Sequence, residues 1–74
     1  SDVLIKDYSN ARIAIFEAKY SRSKETMSRS CEAALQQIET RQYAKEFEDD
    51  YDTIRCYGIA FYRKSCLVQM ADET

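Results

Sequence analysis

Residues 13–19 read Ile-Ala-Ile-Phe-Glu-Ala-Lys, and this segment governs how the chain is expected to fold. Its first four residues are apolar on both faces of an extended strand, which is typical of a central strand covered on both sides. Glu17 and Lys19 lie two positions apart, so both side chains leave the same face as Ile15. A carboxylate and an ammonium are costly at the end of an apolar strand unless they are paired or bind a metal ion. Taken alone, the segment leaves two interpretations open: a functional site, or a strand-end ion pair in solvent.

A second strand precedes this segment. Residues 3–8 begin with Val-Leu-Ile, and Ser9-Asn10 is a turn signal, so the two strands are expected to form an antiparallel hairpin. A turn at that point brings Asp2 beside Glu17 and Lys19. Hard divalent cations prefer such a site, with oxygen ligands from one or two carboxylates and the remainder from water. The hairpin therefore favours a metal site over a simple ion pair.

A helix is predicted after the hairpin, with Ser21 or Ser23 as its cap. Its apolar positions fall on one helical stripe: Met27, Cys31, Ala34, Leu35 and Ile38. The pattern slips near Thr40 and resumes one residue out of phase over residues 43–47, which predicts a kink or a second short helix. The acidic residues 48–50 are expected near the helix end.

Two further strands complete the expected fold. Residues 54–62 alternate like a strand, residues 63–65 resemble a turn, and residues 66–70 form a last short strand. A strand–helix–strand crossover makes its two strands parallel, so the α/β order β-β-α-β-β gives a mixed sheet with one main helix. No linker or repeat divides the chain, and we expect residues 1–74 to be one domain. The chain opens at Ser1 directly into a strand, so we also expect it to be a piece of a longer protein.

Composition narrows the class of protein. A chain of 74 residues makes one small domain, and its net charge of −2 offers no general attraction for nucleic acid. Three cysteines and no histidine argue against a disulfide framework and exclude a Cys/His zinc site. Free thiols suit a reducing compartment, and no apolar run approaches the ~20 residues of a membrane span, so we expect a cytoplasmic protein without a membrane partner. Cys31 and Cys56 are expected to be buried.

Charge is unevenly distributed along the chain. Residues 19–29 contain four basic residues and one acid, whereas residues 46–52 contain five acids and no base. Solvated helix faces explain both runs. The other interpretation, a phosphate-facing patch at one end of the molecule, stays open.

Three segments together carry a resemblance to a known family. They are Ser-Asp-Val-Leu-Ile at residues 1–5, Ile-Ala-Ile-Phe-Glu-Ala-Lys at residues 13–19, and Glu-Ala-Ala-Leu-Gln-Gln-Ile-Glu-Thr-Arg-Gln-Tyr-Ala at residues 32–44. Over residues 2–61 the chain resembles PD-(D/E)XK nucleases, in particular a bacterial branch found C-terminal to an AAA-ATPase-like domain. The resemblance implies a restriction-endonuclease-like core, of which this chain is a partial domain because the family's first helix and strand lie upstream.

The resemblance also implies roles for individual residues. Asp2 and Glu17, with the main-chain carbonyl of Ala18, are expected to bind Mg²⁺ or Mn²⁺, and Lys19 is expected to orient the attacking water and stabilise the transition state. Gln37 is expected to contact the site from the helix. A further residue, Tyr43, is expected to support Gln37. Without the resemblance, Gln37 reads equally well as a polar residue at the core edge, and Tyr43 reads as core packing.

These implications lead to a prediction of function with an alternative. The first is a metal-dependent phosphodiesterase core that hydrolyses DNA or RNA, incomplete in this fragment. The alternative is a non-catalytic interaction or regulatory module attached to an ATPase-like domain, and an α/β fragment without a site is a third reading. Because a partial sheet exposes an edge and an apolar patch, a homodimer is also expected.

Overall fold

A computed structural model describes residues 2–71, apart from the side chain of Ala44. Its elements, in chain order, are β1 (Asp2–Asp7), β2 (Arg12–Tyr20), α1 (Met27–Thr40), α2 (Tyr43–Phe47), β3 (Thr53–Tyr62) and β4 (Ser65–Met70). The four strands form one sheet in the order β1-β2-β3-β4. The β1–β2 and β3–β4 pairs are antiparallel, and β2–β3 is parallel. The predicted α/β fold, with its mixed sheet and one main helix, is confirmed.

The core lies between α1 and one face of the sheet. Apolar residues of β2 and β3 meet the predicted helical stripe there, and the buried set contains Ile13, Ile15, Met27, Cys31, Ala34, Ile38 and Ala60. Leu35, also predicted on the stripe, is half-buried. No helix within residues 2–71 is long and apolar enough to cross a membrane.

Gly58 is where α1 comes closest to the sheet. A Cβ added to Gly58 would overlap the main-chain carbonyl oxygen of Cys31, so the helix backbone lies directly on β3. No residue with a side chain fits this contact unless the helix shifts. Gly58 is also the parallel neighbour of Glu17 on β2, which places the contact beside the predicted site.

Both ends of α1 differ in detail from the expectation. The helix begins at Met27, and Thr26 at its N-cap makes no capping hydrogen bond through its side chain. The hydroxyls of Ser21 and Ser23 instead lie 2.7 and 2.9 Å from Thr26 Oγ1 within the preceding loop, so the prediction that either serine caps the helix is wrong. The predicted break after Thr40 is confirmed, because Gln42 has a left-handed backbone (φ 57°) and α2 follows it.

The second face of the sheet is open to solvent. Within residues 2–71 no element covers it, and its apolar side chains include Val3, Ile5, Val68 and Met70, which are 49–58% exposed. Phe16 of β2 stacks on Tyr57 of β3 on this face, with ring centroids 4.9 Å apart. The expectation that β2 is covered on both sides is therefore wrong for the part of the chain described.

Candidate metal centre

Two carboxylates meet at the point where β1 and β2 pair. Asp2 is the antiparallel partner of Glu17, so the two side chains lie next to each other on the face of the sheet that α1 covers. Glu17 is only 2% exposed, and the Asp2 side chain is 15% exposed. The predicted convergence of Asp2 with Glu17 is present in the structure.

One face of α1 reaches both carboxylates. Gln37 Nε2 donates a hydrogen bond to Glu17 Oε1 over 2.9 Å, and Arg41 Nη1 lies 3.0 Å from Asp2 Oδ2. Gln37 and Arg41 are four residues apart, so they lie one above the other on the same helical face. The predicted contact of Gln37 with the site is present, whereas Arg41 was missed from the sequence.

The two carboxyl groups have opposed acidities. Burial raises the pKa of Glu17, and both a hydrogen bond to Asp2 and the charge of that carboxylate raise it further. The same hydrogen bond is the largest cause lowering the pKa of Asp2, and it outweighs the opposing effect of burial. Tyr43 and Arg41 lower the pKa of Asp2 further. The last proton of the pair therefore resides on Glu17, which donates it to an ionised Asp2.

Tyr43 lies at the outer side of the pair. Interaction of its hydroxyl with the Asp2 carboxylate is the main reason that the pKa of Tyr43 is raised. Tyr43 therefore lies beside Asp2, and its expected support of Gln37 stays a prediction. Tyr43 is the first residue of α2, so the break after α1 brings it back towards β1.

The donor set suits a hard divalent cation. Asp2 Oδ1 is buried and has no hydrogen-bond partner among the described residues when both carboxyl groups are ionised. Such an orphaned oxygen is costly in a folded protein, and a cation would satisfy it. Within residues 2–71 no third Asp, Glu, His or Cys joins the pair to make a metal-binding group of three. A cation bound here would therefore need water or a main-chain carbonyl for its remaining ligands.

A comparison with protein-family models gives the family. The model of the PD-(D/E)XK nuclease superfamily matches residues 1–71. The chain belongs to this superfamily. No curated protein and no solved structure matches the chain.

In this member of the superfamily, Lys19 stands apart from the carboxylates. It lies on the same face of β2 as Glu17, two residues further along, and is half-buried. Within the described chain its ammonium makes no hydrogen bond or ion pair, so the alternative of a strand-end ion pair with Glu17 finds no support. The Ala18 side chain is exposed and belongs to the opposite face, so only its main chain is available to the site.

Proposed function

We propose that this chain is the metal-dependent phosphodiesterase core of a nuclease that hydrolyses DNA or RNA. The observation that carries the proposal is the pairing of Asp2 with the buried Glu17, in which Asp2 Oδ1 has no hydrogen-bond partner among the described residues when both carboxyl groups are ionised. Within an otherwise apolar helix-covered face, this costly arrangement is stable once a cation is shared between the two carboxylates. Membership of a nuclease superfamily supports hydrolysis as the reaction.

The residues of the site divide the chemistry between them. Asp2, Glu17 and the main-chain carbonyl of Ala18 would hold Mg²⁺ or Mn²⁺. When bound, the ion lowers the pKa of a water and neutralises negative charge that develops on the phosphodiester. Lys19 orients the attacking water and stabilises the same charge, because its ammonium has no other described partner.

The helix residues hold the carboxylates in place. Gln37 fixes one oxygen of Glu17 through its hydrogen bond and leaves the carboxylate in a single orientation. Arg41 neutralises Asp2 in the absence of a cation, since its guanidinium contacts Oδ2. The Gln37 contact preorganises Glu17, which is what a metal ligand requires of its surroundings.

Calorimetry with Mn²⁺ tests the proposal directly. The wild-type chain is expected to bind one Mn²⁺ with an affinity that Glu17→Gln and Asp2→Asn each reduce at least 10-fold. Glu32→Gln is the matched control, because Glu32 is an exposed carboxylate on α1 away from the site, and it should leave the heats unchanged. Equal heats from the wild type and Glu17→Gln would remove the metal centre.

A second function is favoured by one observation. The net charge of −2 gives the chain no general attraction for a polyanion, which suits a non-catalytic module that regulates an attached ATPase-like domain. That reading corresponds to the bacterial branch that the sequence resembles. If the protein that carries this core binds Mn²⁺ but cleaves neither DNA nor RNA, the regulatory function is favoured over the nuclease.

We propose that the protein acts in the cytoplasm, whether it is a nuclease or a regulatory module. All three cysteines are free, and free thiols persist in a reducing compartment. Alkylation of the protein while it is unfolded directly from cells tests this, because an oxidising compartment would leave fewer than three free thiols to react.

A further inference from the structure

One end of the sheet is rich in cations. Parallel pairing of β2 with β3 brings Tyr20 beside Phe61, so both strands finish at the same end. The segments that leave the sheet there, residues 19–25 and 63–64, contain five basic residues and one acid. We call the five cations the basic end: Lys19, Arg22, Lys24, Arg63 and Lys64. All except Lys19, which is half-buried, are exposed.

The opposite end of the sheet is acidic. Residues 46–52 contain five acids and enter β3 at the end where Arg12 pairs with Thr53. The net charge of −2 therefore conceals a separation of charge along the strand direction. A polyanion is attracted to the basic end and repelled from the acidic one.

An exposed aromatic pair lies within the basic end. Tyr20 is 90% exposed, and its ring is tilted by 43° against Phe61 with centroids 6.0 Å apart. Tyr20 lies between Lys19 and Arg22 in the chain, and the exposed side chains of Arg22 and Lys24 belong to the same end of the sheet. Aromatic rings beside a positively charged surface are the combination with which proteins bind single-stranded nucleic acid, since the rings stack on unpaired bases and the cations contact phosphates. An apolar partner would gain nothing from the surrounding charge.

We propose that Tyr20 and Phe61 form a stacking platform for an unpaired base of a single-stranded nucleic acid. The inference rests on the proposed function, because it assigns the substrate class of the same site. Tyr20 is three residues from Glu17 along β2, a distance of about 10 Å. The side chains of Lys19 and Tyr20 project from opposite faces of β2. A nucleic-acid strand that contacts both must therefore cross the end of the sheet. Single strands, or duplexes with frayed ends, are therefore the substrates that fit.

Duplex nucleic acid fits the platform poorly. Its bases are already stacked on one another, and extruding one of them costs free energy before the ring gains a contact. The cations serve both forms equally, because phosphate contacts carry no information about base pairing. Preference for the single strand should consequently depend on the aromatic rings rather than on the charges.

Fluorescence anisotropy with a labelled oligothymidine and with a duplex of equal length tests the platform. Tyr20→Ala is expected to weaken binding of the 74-residue chain to the single strand about 10-fold and to the duplex less than about 2-fold, as loss of one base-stacking contact does. Tyr20→Phe keeps the ring and should bind like the wild type. Tyr8→Ala is the matched control, because Tyr8 is 76% exposed and tilted against Tyr51 at the acidic end.

A charge variant separates stacking from general attraction. Arg22→Gln should weaken both nucleic acids alike and reduce the slope of log affinity against log salt for the single strand by about 0.7, the effect of one lost phosphate contact. Thermal melts of each variant check folding, and Tyr20 is exposed enough for its truncation to leave the core intact.

The outcomes distinguish this inference from the proposed function. A wild-type chain that does not bind the single strand, or a Tyr20→Ala variant that loses nothing or loses equally on both nucleic acids, overturns the platform. If Mn²⁺ binding still depends on Glu17 in that case, the metal centre stands alone. If no Mn²⁺ binds but single-strand binding depends on Tyr20, the proposed function fails and the platform remains.

Discussion

Gln37 and Glu17 are joined by a hydrogen bond of 2.9 Å that ties α1 to the buried carboxylate of β2. The bond can form in either protonation state of Glu17, because Oε1 accepts from the amide whether or not the other oxygen carries a proton. The structure is therefore compatible with an empty, protonated pair and with a metal-loaded, ionised one. Protonation would compete with the proposed cation for the same carboxylate.

Glu17→Gln should stabilise the metal-free chain. Because the pKa of Glu17 is raised in the folded state, the stability that this group contributes is complete below its ordinary pKa of 4.5 and is lost as pH rises through the raised value. An amide cannot ionise, so the variant should gain about 1 kcal/mol in free energy of unfolding at neutral pH. Urea unfolding between about pH 4 and 8 measures this, and a gain that shrinks with rising pH would contradict it.

Arg41→Gln should tighten the binding of Mn²⁺. The guanidinium contacts Asp2 Oδ2 and carries a positive charge beside the place where the cation is proposed to bind. Removing this exposed charge is expected to raise the affinity for Mn²⁺ by roughly a few-fold. Arg29→Gln, at an exposed position of α1, is the control for the change in net charge. Weaker binding by Arg41→Gln would mean that the arginine organises Asp2 for the metal.

Lys19→Ala should affect cleavage more than binding. An ammonium near the scissile phosphate acts mainly on the transition state, so its loss from the nuclease that carries this core should reduce the single-turnover rate with Mg²⁺ on the order of 100-fold. Affinity for Mn²⁺ should stay within a few-fold. Lys45→Ala removes an exposed lysine of α2 and should leave the rate unchanged. An unchanged rate in Lys19→Ala would end the nuclease assignment for this site.

The three thiols should react in a fixed order. Cys66 is exposed, Cys56 is half-buried and Cys31 is fully buried, so only part of the expected burial of Cys31 and Cys56 is present. Burial raises the pKa of the Cys31 thiol, which further lowers its thiolate population. Labelling with a thiol reagent should therefore modify Cys66 first and Cys31 only on unfolding. Rapid modification of all three would be incompatible with the packing of α1 on β3.

The open face of the sheet should drive self-association. Val3, Ile5, Val68 and Met70 present apolar side chains there, and contiguous apolar surface of this kind is uncommon on monomers. We expect a dimer by light scattering, and Val68→Lys should shift it towards the monomer. Glu32→Lys on α1 changes the charge without touching the face. A monomer at millimolar concentration would count against the prediction.

Much of the site follows from local rules of sequence. Side chains alternate along a strand, so Glu17 and Lys19 had to share a face with Ile15, and a short turn had to bring Asp2 beside Glu17. The helical period also predicts the position of Arg41. Arg41 is four residues after Gln37, so any helix that brings Gln37 to the site brings Arg41 there as well.

Other features depended on information that no local pattern contains. Ser21 and Ser23 are good capping residues, but their hydroxyls bond within the loop and the helix begins four residues later than Ser23. The apolar character of β2 on both faces did not reveal which face is covered. Coverage depends on which elements pack against the sheet, and this is settled only in the tertiary structure.

The contact at Gly58 is the pivot about which α1 would tilt. The carbonyl of Cys31 lies against β3 at this point, and Arg41 lies ten residues further on, about 15 Å along the helix axis. A tilt of about 5° at the pivot would move that far end by about 1 Å, enough to break hydrogen bonds such as those to Asp2 and Glu17. The positions of Gln37 and Arg41 at the carboxylates thus depend on Gly58, the one residue of β3 that has no side chain.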